Sequence, residues 1–303
     1  MLKNTSTPEG VYNNRRKFLK TAGFVTAGII GSFAANAEGQ YDGSGKLNTN
    51  HTNQLTSFED FTSYNNYYEF GTGKSDPKRY SQNFDTSNWE INVHGHVKNP
   101  MKFSMQDLLD FETEEQIHSF RCVEGWSAIV PWNGFKLSKL LDIVKPTAKG
   151  KYVRFVSVED RKQMRGQSRP TIRWPYQEGL RLDEAMQPIT MMATGLYGKP
   201  LPNQNGAPIR LVVPWKYGFK YPKAIVEIEL VEDQPNTSWN DLAPREYGFY
   251  SNVNPNISHP RWSQRTERVL GTGLIAERKE TMYLNGYEKE VGHLYPGDQR
   301  EYY

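Results

Sequence analysis

The sequence predicts an α+β protein with mainly antiparallel or mixed sheets and short helices. Three observations carry that expectation. Apolar and polar residues alternate in several short runs, the stretches with helical periodicity are brief, and neither βαβ alternation nor an internal repeat is present.

The elements follow in order. Residues 38–60 are polar, rich in Gly, Asn, Ser and Thr, and read as a flexible leader. From Phe58 to Tyr80 aromatic residues recur at spacings that suit neither helix nor strand, which predicts an ordered loop packed on the core. Trp89 to Val97 alternates, with Ile91, Val93 and Val97 on one side and Glu90, Asn92, His94 and His96 on the other, so it reads as a half-buried strand. Asn99-Pro100 breaks it. Ser104 caps a short helix, with Asp107 at the capping-box distance. Ile117 to Cys122 is a strand ending at the cysteine. Ser138 caps a second helix that carries Leu140, Leu141 and Val144 on one face and is closed by Pro146. Tyr152–Val158, Ile209–Val213 and Ala224–Leu230 are further strands. From about residue 233 to 303, Pro, Asn, Trp and Arg predominate, and the tail is expected to wrap the core as loops with little regular structure.

Composition narrows the function. A net charge of +3, with no basic block, gives nucleic-acid binding no support. Neither Gly-x-Gly-x-x-Gly nor a phosphate-loop motif occurs, which argues against nucleotide folds. The 18 Tyr and 7 Trp fit a rigid core with aromatic-lined pockets better than disorder. Near the start, Asn14-Arg15-Arg16-Lys17-Phe18-Leu19-Lys20 precedes a weakly apolar run ending in Ala35-Asn36-Ala37. This reads as a cleaved twin-arginine export signal, residues 1–37, since the run is too short to span a bilayer. The twin-arginine machinery exports folded proteins, which points to a cofactor inserted before export and to the periplasm of a Gram-negative bacterium. Residues 61–303 are then expected to form a single catalytic domain.

Three stretches carry chemistry. The first is Arg121-Cys122-Val123-Glu124-Gly125-Trp126. The lone cysteine is either a buried small hydrophobe, an intermolecular bridge, or a reactive or metal-ligating thiol. Arg121 beside it would favour the thiolate, and Glu124 could reach the same centre. The second runs from Asn203 through Asn205 and Arg210 to Lys223, where Arg210, Lys216, Lys220 and Lys223 interleave with aromatics. It suits a phosphate joined to a flat heterocycle, or equally a solvated basic edge. The third, Asn65-Asn66-Tyr67-Tyr68-Glu69, suits hydrogen bonding to a polar ring, or an ordinary Asx-turn beneath aromatics. His94 and His96 share a strand face but have no third ligand at zinc spacing.

Together with Glu178–Met186, Val213–Lys220 and His259–Gln264, these runs resemble the catalytic subunits of periplasmic protein-methionine-sulfoxide reductases, molybdopterin enzymes of the sulfite oxidase fold family. The likeness covers nearly all of the chain after the signal. It implies a sulfite oxidase-like molybdopterin-binding fold and one molybdenum–molybdopterin cofactor per subunit, with Cys122 as the thiolate ligand to molybdenum. It further implies that Asn65, Tyr68, Glu69, Asn205, Arg210, Tyr221, Pro222 and Lys223 hold the pterin and its phosphate. Ser157 stands where the family has Thr, and Pro222 has no N–H to offer. Glu124 is the candidate for protonation or substrate polarisation. The implied partners are a haem-containing membrane subunit fed by the quinone pool, and oxidised periplasmic proteins as substrates. The alternatives are a sulfite-oxidising relative and a periplasmic binding protein without cofactor.

Overall fold

In the computed structural model, which describes residues 55–273 and 276–303, two mixed sheets organise the chain. The expected export signal, residues 1–37, and the expected leader up to residue 54 lie outside the described residues. The first sheet contains β1 (Glu90–Gly95), β2 (Met101–Ser104), β5 (Tyr152–Ser157), β6 (Gln177–Arg181) and β10 (Ile225–Val231), in the order β2-β1-β10-β5-β6. Only β1 and β10 run parallel within it. The second holds β3 (Glu114–Arg121), β4 (Trp126–Lys136), β7 (Met191–Leu196), β8 (Lys199–Pro200), β9 (Arg210–Val212), β11 (Thr266–Val269) and β12 (Arg278–Glu280). Its one parallel pair is β11 with β4.

The strand at Trp89–Val97 forms as expected, with Ile91 and Val93 fully buried. The two central strands of the second sheet, β4 and β7, carry no period-two signal. Both are buried on both faces, so their sequences are continuous apolar runs rather than alternations.

Helices are short. The expected loop at Phe58–Tyr80 instead contains two, α1 (Phe58–Ser63) and α2 (Asp76–Tyr80). Ser57 caps the first by accepting from the Asp60 amide, and Pro77 opens the second. Helix α3 (Met105–Leu109) has the capping box between Ser104 and Asp107 that the sequence predicts. Helix α4 (Leu137–Val144) begins one residue before its expected cap. Lys136 holds the cap position and makes no side-chain cap, because the Leu137 amide donates to Thr190 O (3.0 Å) and a tertiary bond fixes the start.

Two boundaries move. The leader was expected to reach residue 60, yet Thr56 is pinned: its amide donates to Ile129 O (3.0 Å) and its carbonyl accepts from Tyr197 Oη (2.6 Å). The tail is more regular than expected. It supplies β11 and β12 to the second sheet, and Asn285 Nδ2 ties it to Ser119 O (2.9 Å) and Pro214 O (2.8 Å).

Candidate active site

Strand β3 ends at Arg121, and the chain reverses through Cys122 and Gly125 into β4. The Cys122 amide donates to Trp126 O (2.8 Å) and the Gly125 amide to Cys122 O (3.0 Å), closing the turn. Gly125 takes φ +82° with open space where a Cβ would stand, so the left-handed backbone alone demands glycine. The turn holds the Cys122 sulfur against a cleft of about 900 Å³. Sγ accepts from the Glu124 amide and from Asn66 Nδ2, each at 3.4 Å.

The sequence expected Arg121 to favour the thiolate. It does so only weakly: its guanidinium is buried on Cys122 O, Glu267 Oε2 (2.8 Å) and Gln264 Oε1 (2.8 Å). Burial governs the thiol and, with Glu124 adding to it, pushes Cys122 up to about 12; Arg121 is the weakest opposing influence.

Glu124 pairs with Lys74 Nζ at 2.5 Å, and Lys74 also bonds Asn66 Oδ1. Burial works to raise the Glu124 carboxyl, but Lys74 and Asn66 outweigh it and hold it below the usual range. Lys74 and Asn66 therefore favour the ionised form of the carboxyl that the sequence expected to protonate or polarise the substrate.

The basic cluster divides in two. Lys216 and Lys220 are fully buried ion-pair partners, Lys216 of Glu184 (2.7 Å) and Lys220 of Glu178 (2.5 Å), so neither is available to a ligand. Arg210 and Lys223 line the cleft instead. Among the described residues no carboxylate stands within ion-pair distance of Arg210, which lies over the Trp132 ring (4.9 Å) and donates to Asn205 O (2.8 Å). Burial pulls Arg210 down to about 10. Burial, and then the charge of Arg210, lowers the Lys223 ammonium, while burial raises the Glu69 carboxyl against the pull of Lys223.

Of the predicted site residues, Asn65, Tyr68, Glu69, Cys122, Glu124, Arg210 and Lys223 line one cleft. Asn205 stands behind the wall, donating through Nδ2 to Asn65 Oδ1 (3.1 Å). Ser157 is buried outside the lining. Tyr221 and Pro222 are not among the residues lining the cleft. The Tyr221 ring packs on Phe120 (5.4 Å) and its amide donates to Gly218 O (3.2 Å), while Pro222 O accepts from the Leu211 amide (3.0 Å). Of that trio Lys223 alone is among the residues lining the cleft.

The sequence reading named Asn66 and Phe219 only within longer stretches, and passed over Lys74, which bonds Asn66 and Glu124, and the wall residues Tyr176, Trp239 and Tyr247. The Asn65-Asn66 pair was the one local sign. The wall residues come from separate segments, each with no signal of its own; Tyr68 meets Trp239 (5.4 Å) and Phe219 meets Tyr247 (5.3 Å) edge to face.

The site thus gathers a thiol, buried cations and aromatic walls around one cleft on an α+β scaffold. Residues 78–239 match the family described as oxidoreductase molybdopterin binding domain. The chain is 48% identical to the protein-methionine-sulfoxide reductase catalytic subunit MsrP of Burkholderia mallei, over 98% of this chain and 94% of that protein. It is 49% identical to the MsrP of Campylobacter jejuni, over 95% and 96%. The chain belongs to the family of MsrP catalytic subunits. Among solved structures, the sulfane dehydrogenase SoxCD of Paracoccus pantotrophus is similar at a TM-score of 0.46 and 16% identity, covering 78% of this chain and 67% of that one.

The residues present fit a molybdopterin. Arg210 is a buried cation with no acidic partner among the described residues, as a phosphate requires. Asn205 Oδ1, Ser157 Oγ and Tyr67 Oη are buried polar atoms without hydrogen-bond partners around the same wall. No cluster of three or more His, Cys, Asp or Glu that could hold a metal ion occurs among the described residues.

Proposed function

We propose that this chain reduces methionine sulfoxide residues of oxidised proteins to methionine, using one molybdenum–molybdopterin per subunit. The carrying observation is a buried thiol on a cleft whose wall also holds Arg210 without an acidic partner and Lys223, in a chain about half identical to MsrP relatives. When bound, the cofactor supplies two-electron removal of the sulfoxide oxygen, which leaves as water with two protons.

The chain's own residues do the rest. Cys122 is the soft protein ligand to the metal, and its proton must leave on binding because burial otherwise keeps the thiol protonated. Arg210 and Lys223 hold the phosphate. Asn65, Tyr68, Glu69 and Asn205 orient the pterin, with the Ser157 hydroxyl behind them. Tyr176, Phe219, Trp239 and Tyr247 receive the apolar arm of the sulfoxide and exclude water. Lys74, bonded to Glu124 and Asn66, holds those two side chains beside the Cys122 turn.

In this reading residues 1–37 carry the folded protein to the periplasm by the twin-arginine route, and residues 61–303 form the catalytic domain. Electrons come from a haem-containing membrane subunit fed by the quinone pool. The Asn14–Lys20 motif supports the route, and the name "catalytic subunit" borne by the relatives supports a partner.

The test compares wild type with Cys122→Ser for metal and pterin content and for sulfoxide-dependent oxidation of a reduced viologen dye. Wild type is expected to hold molybdenum and to turn over oxidised protein. The variant should lose activity beyond the roughly 10- to 100-fold that outer-shell partners of a metal cost. Sulfite-dependent dye reduction without sulfoxide turnover would favour the sulfite-oxidising alternative. Wild type lacking both metal and pterin would favour the binding protein.

A further inference from the structure

The connection between β5 and β6 carries Arg161, Lys162, Arg165, Arg169 and Arg173. Arg161 is paired with Glu159 (2.8 Å). Arg165 and Arg169 are exposed and line a second pocket of about 400 Å³ with Thr72, Asp76 and Tyr80. Among the described residues neither guanidinium has an acidic partner within ion-pair distance. Asp76, the one carboxylate on the wall, accepts from the Gly73 amide (2.9 Å). Arg165 is set over the Tyr80 ring at 4.1 Å.

Two features tie this pocket to the active site. Tyr68 lines both, so the cleft and the pocket share a wall one residue thick. The loop is also clamped to that wall: the Gly166 amide donates to Glu69 O (2.7 Å), and a Cβ at Gly166 would meet Tyr68 O at 1.9 Å, so no side chain fits. Gln167 braces the loop through Asp160 N (2.7 Å) and Val158 O (2.8 Å). The two guanidiniums are thus borne on a backbone fixed before any ligand arrives.

We propose that this pocket is a recognition subsite for an acidic side chain of the oxidised protein, occupied while the methionine sulfoxide enters the cleft. The proposal rests on the reductase reading above. A carboxylate suits the planar donors of the two arginines, and the net charge of the pocket stays positive with Asp76 counted. Because the two cavities share the Tyr68 wall, the acidic residue is placed close in sequence to the sulfoxide on a chain that advances about 3.3–3.6 Å per residue.

The experiment uses the holoenzyme and fluorescent peptides with one methionine sulfoxide and Glu, Gln or Lys two or three positions away. Kinetics with reduced viologen are measured beside peptide affinity by anisotropy, for wild type and for Arg165→Gln/Arg169→Gln. Wild type should favour the Glu peptide over the Gln peptide by about 5-fold in both KM and Kd with kcat equal, and less so with added salt. The double variant should lose the preference and keep wild-type kinetics on the Gln peptide and wild-type pterin content. Arg165→Glu/Arg169→Glu should favour the Lys peptide. Equal KM and Kd for all three peptides in wild type would overturn the subsite. So would loss of pterin from the Gln variant, which would assign the arginines to the cofactor. Absence of turnover with every peptide would instead refute the reductase reading, with the anisotropy still deciding the pocket.

Discussion

At Cys122 burial outweighs neighbouring charge. Arg121 is adjacent in sequence, but its side chain serves Glu267 on the other side of the strand end. Arg210 shows the converse: it is buried without an acidic partner among the described residues, and it lines the cleft. Arg210→Gln should cut pterin content by more than about 10-fold yet leave the cofactor-free chain at least as stable, since a lone buried charge costs stability. Pterin analysis and thermal unfolding check both halves, and unchanged pterin would refute the role. His118 offers a pH test away from the site. It is fully buried between Tyr287 Oη (3.0 Å) and Gln116 Oε1 (2.7 Å), and burial lowers it to about 3. Below about pH 6.5 the unfolded chain takes up a proton that the folded chain refuses until about 3. Stability therefore falls as pH falls through that window, by about 2 kcal/mol between pH 7 and pH 5 from this residue. Urea unfolding of His118→Gln should show a correspondingly shallower acid slope. The motifs made Cys122, Asn65 and Arg210 legible in the sequence. The direction each side chain takes was not: Arg121 turns to Glu267, and the Tyr221 ring packs on Phe120.

Among the elements, β1 and α3 were legible because one buries a single face and the other has a capping box. The strands β4 and β7 were not, because a strand buried on both faces has no alternation to read. The basic stretch before β10 was legible as charge but not as pairing, since Glu178 and Glu184 lie about 40 and 30 residues away in sequence from their partners. Lys216 bonds Glu184, Tyr250 O (3.0 Å) and Asn252 Oδ1 (2.9 Å), and Glu184 also accepts from Tyr295 Oη (2.6 Å). This network joins α5 (Leu182–Ala185) to the tail. Glu184→Ala strands the buried ammonium and should destabilise the protein by about 3–5 kcal/mol in urea unfolding. A loss below about 1 kcal/mol would mean that the network is not needed to hold the tail.

At the scale of the whole molecule, the cleft is assembled from the α1–α2 connection, the β3–β4 turn, the β5–β6 connection at Ile172 and Tyr176, β9, the approach to β10, and the start of the tail at Trp239 and Tyr247. No local pattern announces that convergence; only the likeness of several long runs to one family did. The tail matters to it, because Trp262 Nε1 and Gln264 Nε2 both donate to Val123 O (2.8 and 2.9 Å), bracing the turn that presents Cys122. The most direct measurement is X-ray absorption at the molybdenum edge of purified wild type and Cys122→Ser. If the Cys122 sulfur ligates the metal beside the two pterin sulfurs, wild type will show three sulfur neighbours and the variant two. The same sulfur count in both proteins would contradict that ligation.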